Sequence, residues 1–124
     1  KKKKGGALAS DWHNDIPLYP QGLVLAGDNL FLAGPPRFDE TQTRLFMGSS
    51  ATDDYELPPV LKEASDTFDG KKGGVLWAVN LADGKKRAEL KLDSIPVFDG
   101  LMAANGRLYL SQKDGSVVCF AQAR

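Results

Sequence analysis

The sequence predicts an all-β chain, with one complete four-stranded antiparallel unit followed by most of a second. Three observations lead there. Short apolar runs recur along the chain, separated by the turn dipeptides Gly27-Asp28, Asp83-Gly84, Asn105-Gly106 and Asp114-Gly115. Tight hairpins need positive backbone φ, and glycine supplies it without a steric penalty. The chain also aligns on itself: residues 22–33, GLVLAGDNLFLA, match residues 100–111, GLMAANGRLYLS, without a gap, and residues 73–79, GGVLWAV, match residues 114–120, DGSVVCF. Finally, residues 75–81 are apolar on both faces apart from Asn80, as expected of a strand covered from above and below.

Bulk properties narrow the function classes. A chain of 124 residues, 42% hydrophobic and 26% charged, fits one soluble domain spanning residues 1–124. Sixteen basic residues balance sixteen acidic ones, so no overall field favours nucleic acid or an anionic membrane. No apolar run approaches the roughly 20 residues of a spanning helix. The chain starts at Lys1 rather than methionine, as a processed product or a piece of a longer polypeptide would. Its single cysteine, Cys119, excludes an internal disulfide, and the neighbours Val117, Val118 and Phe120 predict an inert thiol buried in a strand core.

Taken in order, residues 1–4 are a lysine run that reads as a solvated tail. Residues 7–12 have the character of a short strand, and Ile16-Pro17 ends it because proline has no N–H to donate. A loop follows to Gln21, then strands at 22–26 and 29–33. From 35 to 72 the periodicity is broken by Pro35-Pro36, Gly48-Ser49-Ser50, Asp53-Asp54 and Pro58-Pro59, with room for one helical turn at 61–65. Strands resume on either side of Asp83-Gly84, in residues 73–92. Ile95-Pro96 repeats Ile16-Pro17, and strands at 101–104, 107–111 and 116–121 close the chain.

The repeat also locates an insert. Its two halves are offset by 78 and 41 positions, so about 37 extra residues lie between Gly34 and Gly73. The first unit, roughly 22–92 with an inserted loop at 35–72, and the second, roughly 99–121, each have the strand order of a β-propeller blade. The expected core is Leu23, Leu25, Leu30, Leu32, Val75, Trp77, Val79, Leu108, Leu110, Val117 and Cys119. Residues 7–12 correspond to the last strand of a preceding blade. Such a chain is expected to pack against the remaining blades of a larger propeller, or against further copies of itself.

The pattern Gly-x-Leu-Trp-Ala-Val-x-x-x-Asp-Gly-Lys at 74–85, with Pro96-Val97-x-Asp99-Gly100 and Gly106-Arg107-Leu108-Tyr109, resembles the PQQ-like (pyrroloquinoline-quinone-type) β-propeller repeat. The resemblance covers most of the chain outside the insert and the lysine run, and it implies a bacterial protein of the periplasm or the extracellular space. The family includes quinoprotein dehydrogenases as well as non-catalytic propellers similar to the lipoprotein scaffold of outer-membrane protein assembly. Its calcium ligands and vicinal cysteines have no counterpart here residue by residue.

No catalytic, cofactor-binding or metal constellation stands out. His13, beside Asp11 and Asp15, is a base or ligand only if partners come from elsewhere. Asp53, Asp54, Glu56, Asp66 and Asp69 are oxygen donors of the kind calcium takes, but their spacing matches no recognised loop. Structural roles fall to Gly74, Trp77, Asp83, Gly84, Gly106, Asp114 and Gly115, with Trp77 packed in a core or between blades and Gly100 placed at a turn. The first reading is a non-catalytic module for protein interaction or assembly. A fragment of a PQQ-dependent dehydrogenase and a carbohydrate- or small-ligand-binding propeller are the alternatives. The 35–72 loop mixes Phe38, Leu45, Phe46, Met47, Tyr55 and Leu57 with Arg37, Asp53 and Asp54, a composition suited to a protein contact at one rim. Phe46, Tyr55, Arg37 and Trp12 are the candidate contact residues, Trp12 serving alternatively to dock one blade on the next.

Overall fold

A computed structural model describes residues 8–38 and 59–121. Among these residues seven strands form two antiparallel sheets. The first sheet orders β1 (Gly22–Ala26), β2 (Asn29–Gly34), β3 (Gly74–Asn80) and β4 (Lys86–Leu92) as neighbours, and the second does the same with β5 (Pro96–Ala104), β6 (Arg107–Gln112) and β7 (Val117–Ala121). The expected all-β architecture of four strands plus three is therefore present. No helix among the described residues is long and apolar enough to cross a membrane.

Strand register sorts every side chain to a face. Leu23 opposes Leu32, which opposes Trp77, and Leu25 opposes Leu30, which opposes Val79. These residues form one face of the first sheet. The other face carries Val24, Phe31, Ala33, Leu76 and Leu92, and it packs on Leu101, Ala103, Leu108, Leu110 and Phe120 of the second sheet. Each leucine buried there contributes about 1.5–3 kcal/mol. Contact between the sheets is concentrated at β1 and β5. There a Cβ on Gly22 would stand 2.9 Å from Leu101 Cβ, and the Asp99 N–H donates to the Gln21 carbonyl at 2.7 Å.

The exterior of the first sheet is crossed by residues 12–18. Leu18 is fully buried there with Leu32, Trp77 and Val79, and Trp12 and Ile16 pack beside it. The strap is held at one end by Trp12 Nε1 and Asn14 Nδ2, which donate to the carbonyls of Leu81 and Gly84 at 2.8 and 2.7 Å. At the other end Tyr19 N–H donates to Pro35 O, and Arg37 N–H to Pro17 O. Strand β3, beneath the strap on one side and the second sheet on the other, is covered on both faces as its sequence predicts.

Several expectations need correction. Residues 8–12 form no strand; Trp12 instead begins the strap. Leu23 and Leu25 are more than half exposed, because the strap covers β2 and β3 but stops short of β1. Val117 and Cys119 are exposed on the outer face of the second sheet, which the described residues leave uncovered, so the thiol is not buried. The insert is not structureless: its last part is a ten-residue helix, α1 (Pro59–Phe68). Pro58-Pro59 reads as a breaker, yet proline at the first helical position lacks only an N–H that has no partner there anyway. The helix closes with a Schellman motif, in which Gly70 at φ +88° lets its own N–H reach Thr67 O and that of Lys71 reach Asp66 O. Strand β5 begins at Pro96, five residues earlier than expected, with a bulge before Leu101. Gly100 therefore sits inside a strand, where a Cβ would collide with Val97 and the Ser111 carbonyl.

Candidate interaction surface

The insert leaves and rejoins the first sheet at the end where β2 finishes and β3 starts. Three rings gather there. Tyr19 lies 5.6 Å from Phe38 and 5.2 Å from Phe68 between centroids, and Phe38 meets Phe68 edge-on at 6.0 Å. Tilted and edge-on pairs at these distances add about 0.5–1.5 kcal/mol each beyond their area. The Arg37 guanidinium lies 5.8 Å from the Tyr19 ring centre, within cation–π range. Phe68 keeps 41% of its surface in solvent although it belongs to this cluster, so the rings form a platform rather than a sealed core.

Local chemistry fixes Phe68. Helix α1 turns Leu61, Ala64 and the fully buried Thr67 toward the protein. The Thr67 hydroxyl donates to Glu63 O at 2.8 Å, which satisfies a polar atom that burial would otherwise penalise. Around the rim, Lys71 pairs with Asp66 at 3.0 Å, Lys72 with Glu63 at 2.7 Å and Lys113 with Asp69 at 3.7 Å. The hydrogen bond to Asp66 holds the Lys71 pKa above its ordinary value. Such exposed pairs are worth about 0–1 kcal/mol each. Lys113 also donates to Phe68 O at 3.3 Å, and its N–H to Ile95 O at 2.9 Å. Since Lys113 belongs to the β6–β7 turn, the base of the insert is tied to both sheets.

Of the candidate contact residues, Arg37 stands on this platform and Phe46 and Tyr55 lie outside the described residues. Trp12 is remote from it, over the turn between β3 and β4. There Gly84, at φ +73°, lies so close beneath the indole that a Cβ would overlap the ring. That turn spans five residues rather than two, with Asp83 Oδ1 accepting from the Lys85 N–H. At Asp114-Gly115 the carboxylate accepts the Ser116 hydroxyl and N–H, which together hold its pKa below the ordinary range. Trp77 packs between β2, β4 and the strap, with Lys86 Nζ 5.2 Å from its ring centre and no hydrogen-bond partner for its buried Nε1 among the described residues.

Among the described residues His13 pairs with Asp15 alone, at 3.1 Å, and both side chains are exposed. Asp66 and Asp69 are engaged by lysines, and among the described residues no three His, Cys, Asp or Glu side chains gather as metal ligands. Tyr19 and Phe68 carry the platform without being singled out by the sequence; spacing of seven from Leu61 places Phe68 on the inward helix face once the helix is recognised. Comparison with models of known protein families, with curated proteins and with solved structures finds no match.

Proposed function

We propose that the chain supplies two consecutive blades of a larger β-propeller and works as a non-catalytic module for protein interaction and assembly. One observation carries the reading: the two sheets stack head to tail. Leu101, Ala103, Leu108 and Leu110 of the second sheet, which dock on the first, align with Leu23, Leu25, Leu30 and Leu32 on the far side of the first. Likewise Val24, Phe31, Leu76 and Ala78, on the receiving face, align with Met102, Tyr109, Val117 and Cys119 on the far side of the second. An arrangement in which the same face always docks on the same opposite face is open-ended until a ring closes it. Apolar residues exposed at both ends, Leu23 and Leu25 at one and Met102 and Val117 at the other, support the same reading.

The occupants of those ends are sheets of the same repeat, in a longer polypeptide or in further copies of this chain. The aromatic platform with Arg37 is the rim site for a protein partner, and Phe46 and Tyr55 are further contact candidates by sequence alone. Sedimentation equilibrium tests the assembly: the chain is expected to self-associate with rising concentration, and Leu23→Glu with Leu25→Glu to reduce association while the sheets stay folded. A chain that remains monomeric at high concentration, without binding an apolar dye, overturns the reading.

A further inference from the structure

Beyond the stacking of sheet faces, we infer that the free edge of β7 pairs with β7 of a second copy, antiparallel and about a twofold axis at Cys119. The two sheets have four edges, and three of them are guarded. β1 and β5 lie against each other, where the Asp99 N–H reaches the Gln21 carbonyl. β4 carries Lys86, Arg87, Glu89 and Lys91 and a bulge at Arg87, devices that discourage a further strand. β7 has none of these: its residues, VVCFA, include no charge, proline or glycine, and its pairing with β6 has no register shift. Among the described residues no strand lies on its outer side, whereas the matching edge in the first sheet, that of β3, is taken by β4.

Backbone bonding decides which groups face outward. The Gln112 N–H donates to Ser116 O at 2.9 Å, and because bonded and non-bonded pairs alternate along antiparallel strands, Val118 and Phe120 direct their groups to β6. Val117, Cys119 and Ala121 therefore turn theirs to the open edge. A twofold axis at Cys119 sets Val117 opposite Ala121 of the second copy, Val118 opposite Phe120, and Cys119 opposite itself. This register pairs all five residues and opposes no charges, and each Val118–Phe120 pair joins an aromatic to a β-branched side chain, a favourable combination across strands. The same surface meets itself, so this association closes at two copies. The exposed Cys119 thiol reports the register, since the Cα atoms of such a bonded pair stand about 5.5 Å apart.

Hydrogen exchange of the whole chain, followed by NMR in dilute and concentrated solution, tests the edge. Protection of the Val117, Cys119 and Ala121 amides should rise with concentration, while Val118 and Phe120 stay protected throughout. Dibromobimane, which fluoresces on bridging two adjacent thiols, should label Cys119 over the same concentration range. Sedimentation equilibrium separates edge from face. Leu23→Glu with Leu25→Glu should leave a dimer. Cys119→Lys and Cys119→Glu, at an exposed position, should each dimerise about fivefold more weakly alone and recover that loss when mixed, because opposite charges then face each other across the axis. Edge amides already protected in the dilute monomer, no recovery on mixing, or a dimer lost with the leucine substitutions overturns the assignment.

Discussion

The two sheets share a repeat but not a fate. In the first, β3 is buried on both faces, by the strap on one side and the second sheet on the other. In the second, Met102, Val117 and Cys119 face solvent among the described residues. Leu23 and Leu101 occupy the same position of the repeat, yet the first is 55% exposed and the second 6%. Sequence pattern assigns a side chain to a face; whether that face is buried depends on what lies across from it.

Substitutions at paired positions make that difference measurable. Leu101→Ala should cost about 2–5 kcal/mol in denaturant unfolding, as other buried leucines do, because it opens a cavity between the sheets. Leu23→Ala should cost under about 1 kcal/mol, in line with its exposure. Equal losses at the two sites would show that the far face of the first sheet is covered in solution. Gly84→Ala tests the strap. Positive φ and the overlying indole should together make it about 1–3 kcal/mol destabilising, and in the background of Trp12→Ala the penalty should shrink to the backbone part.

A smaller effect distinguishes the turns. The Asp114 pKa is lowered on folding, so this carboxylate stabilises the chain above its unfolded value, and the contribution is lost as pH falls through the folded one. Thermal melts down an acid series should therefore converge for wild type and Asp114→Asn at the lowest pH and separate near neutrality. A constant gap at all pH values would contradict the role given to Ser116. The least perturbing test is chemical: Cys119 should react with a maleimide in the native state, and slow with protein concentration if further sheets cover that face.

How much was legible in the sequence follows from the range of the interactions. Hairpins at Gly27, Asn105 and Gly115 are local, so their turn chemistry and alternation revealed β1, β2, β6 and β7 to within a residue or two. The gapless repeat placed β3 and the insert as well. What stayed hidden depends on distant partners. Residues 8–12 have strand composition but no strand to pair with, and Trp12 spends its N–H on Leu81 instead. The exposure of Cys119 was invisible because its neighbours report a face and not a neighbouring sheet. At the candidate surface, Arg37 and Phe38 were found by composition. Tyr19 and Phe68 were not, since only the return of α1 to the sheet end brings the three rings together.

The insert also separates the two sheets in time. Strands β5, β6 and β7 follow one another through short turns, whereas pairing β2 with β3 must close a loop of residues 35–73. Closing it costs about 2–3 kcal/mol more chain entropy than a two-residue turn does. The second sheet is therefore positioned to form early, through local contacts, and the first to complete late and slowly. Until β3 arrives, β1 and β2 present an unpaired edge and an apolar face. The strand that ends as the best protected among those described is also the one whose absence leaves the chain most prone to aggregate.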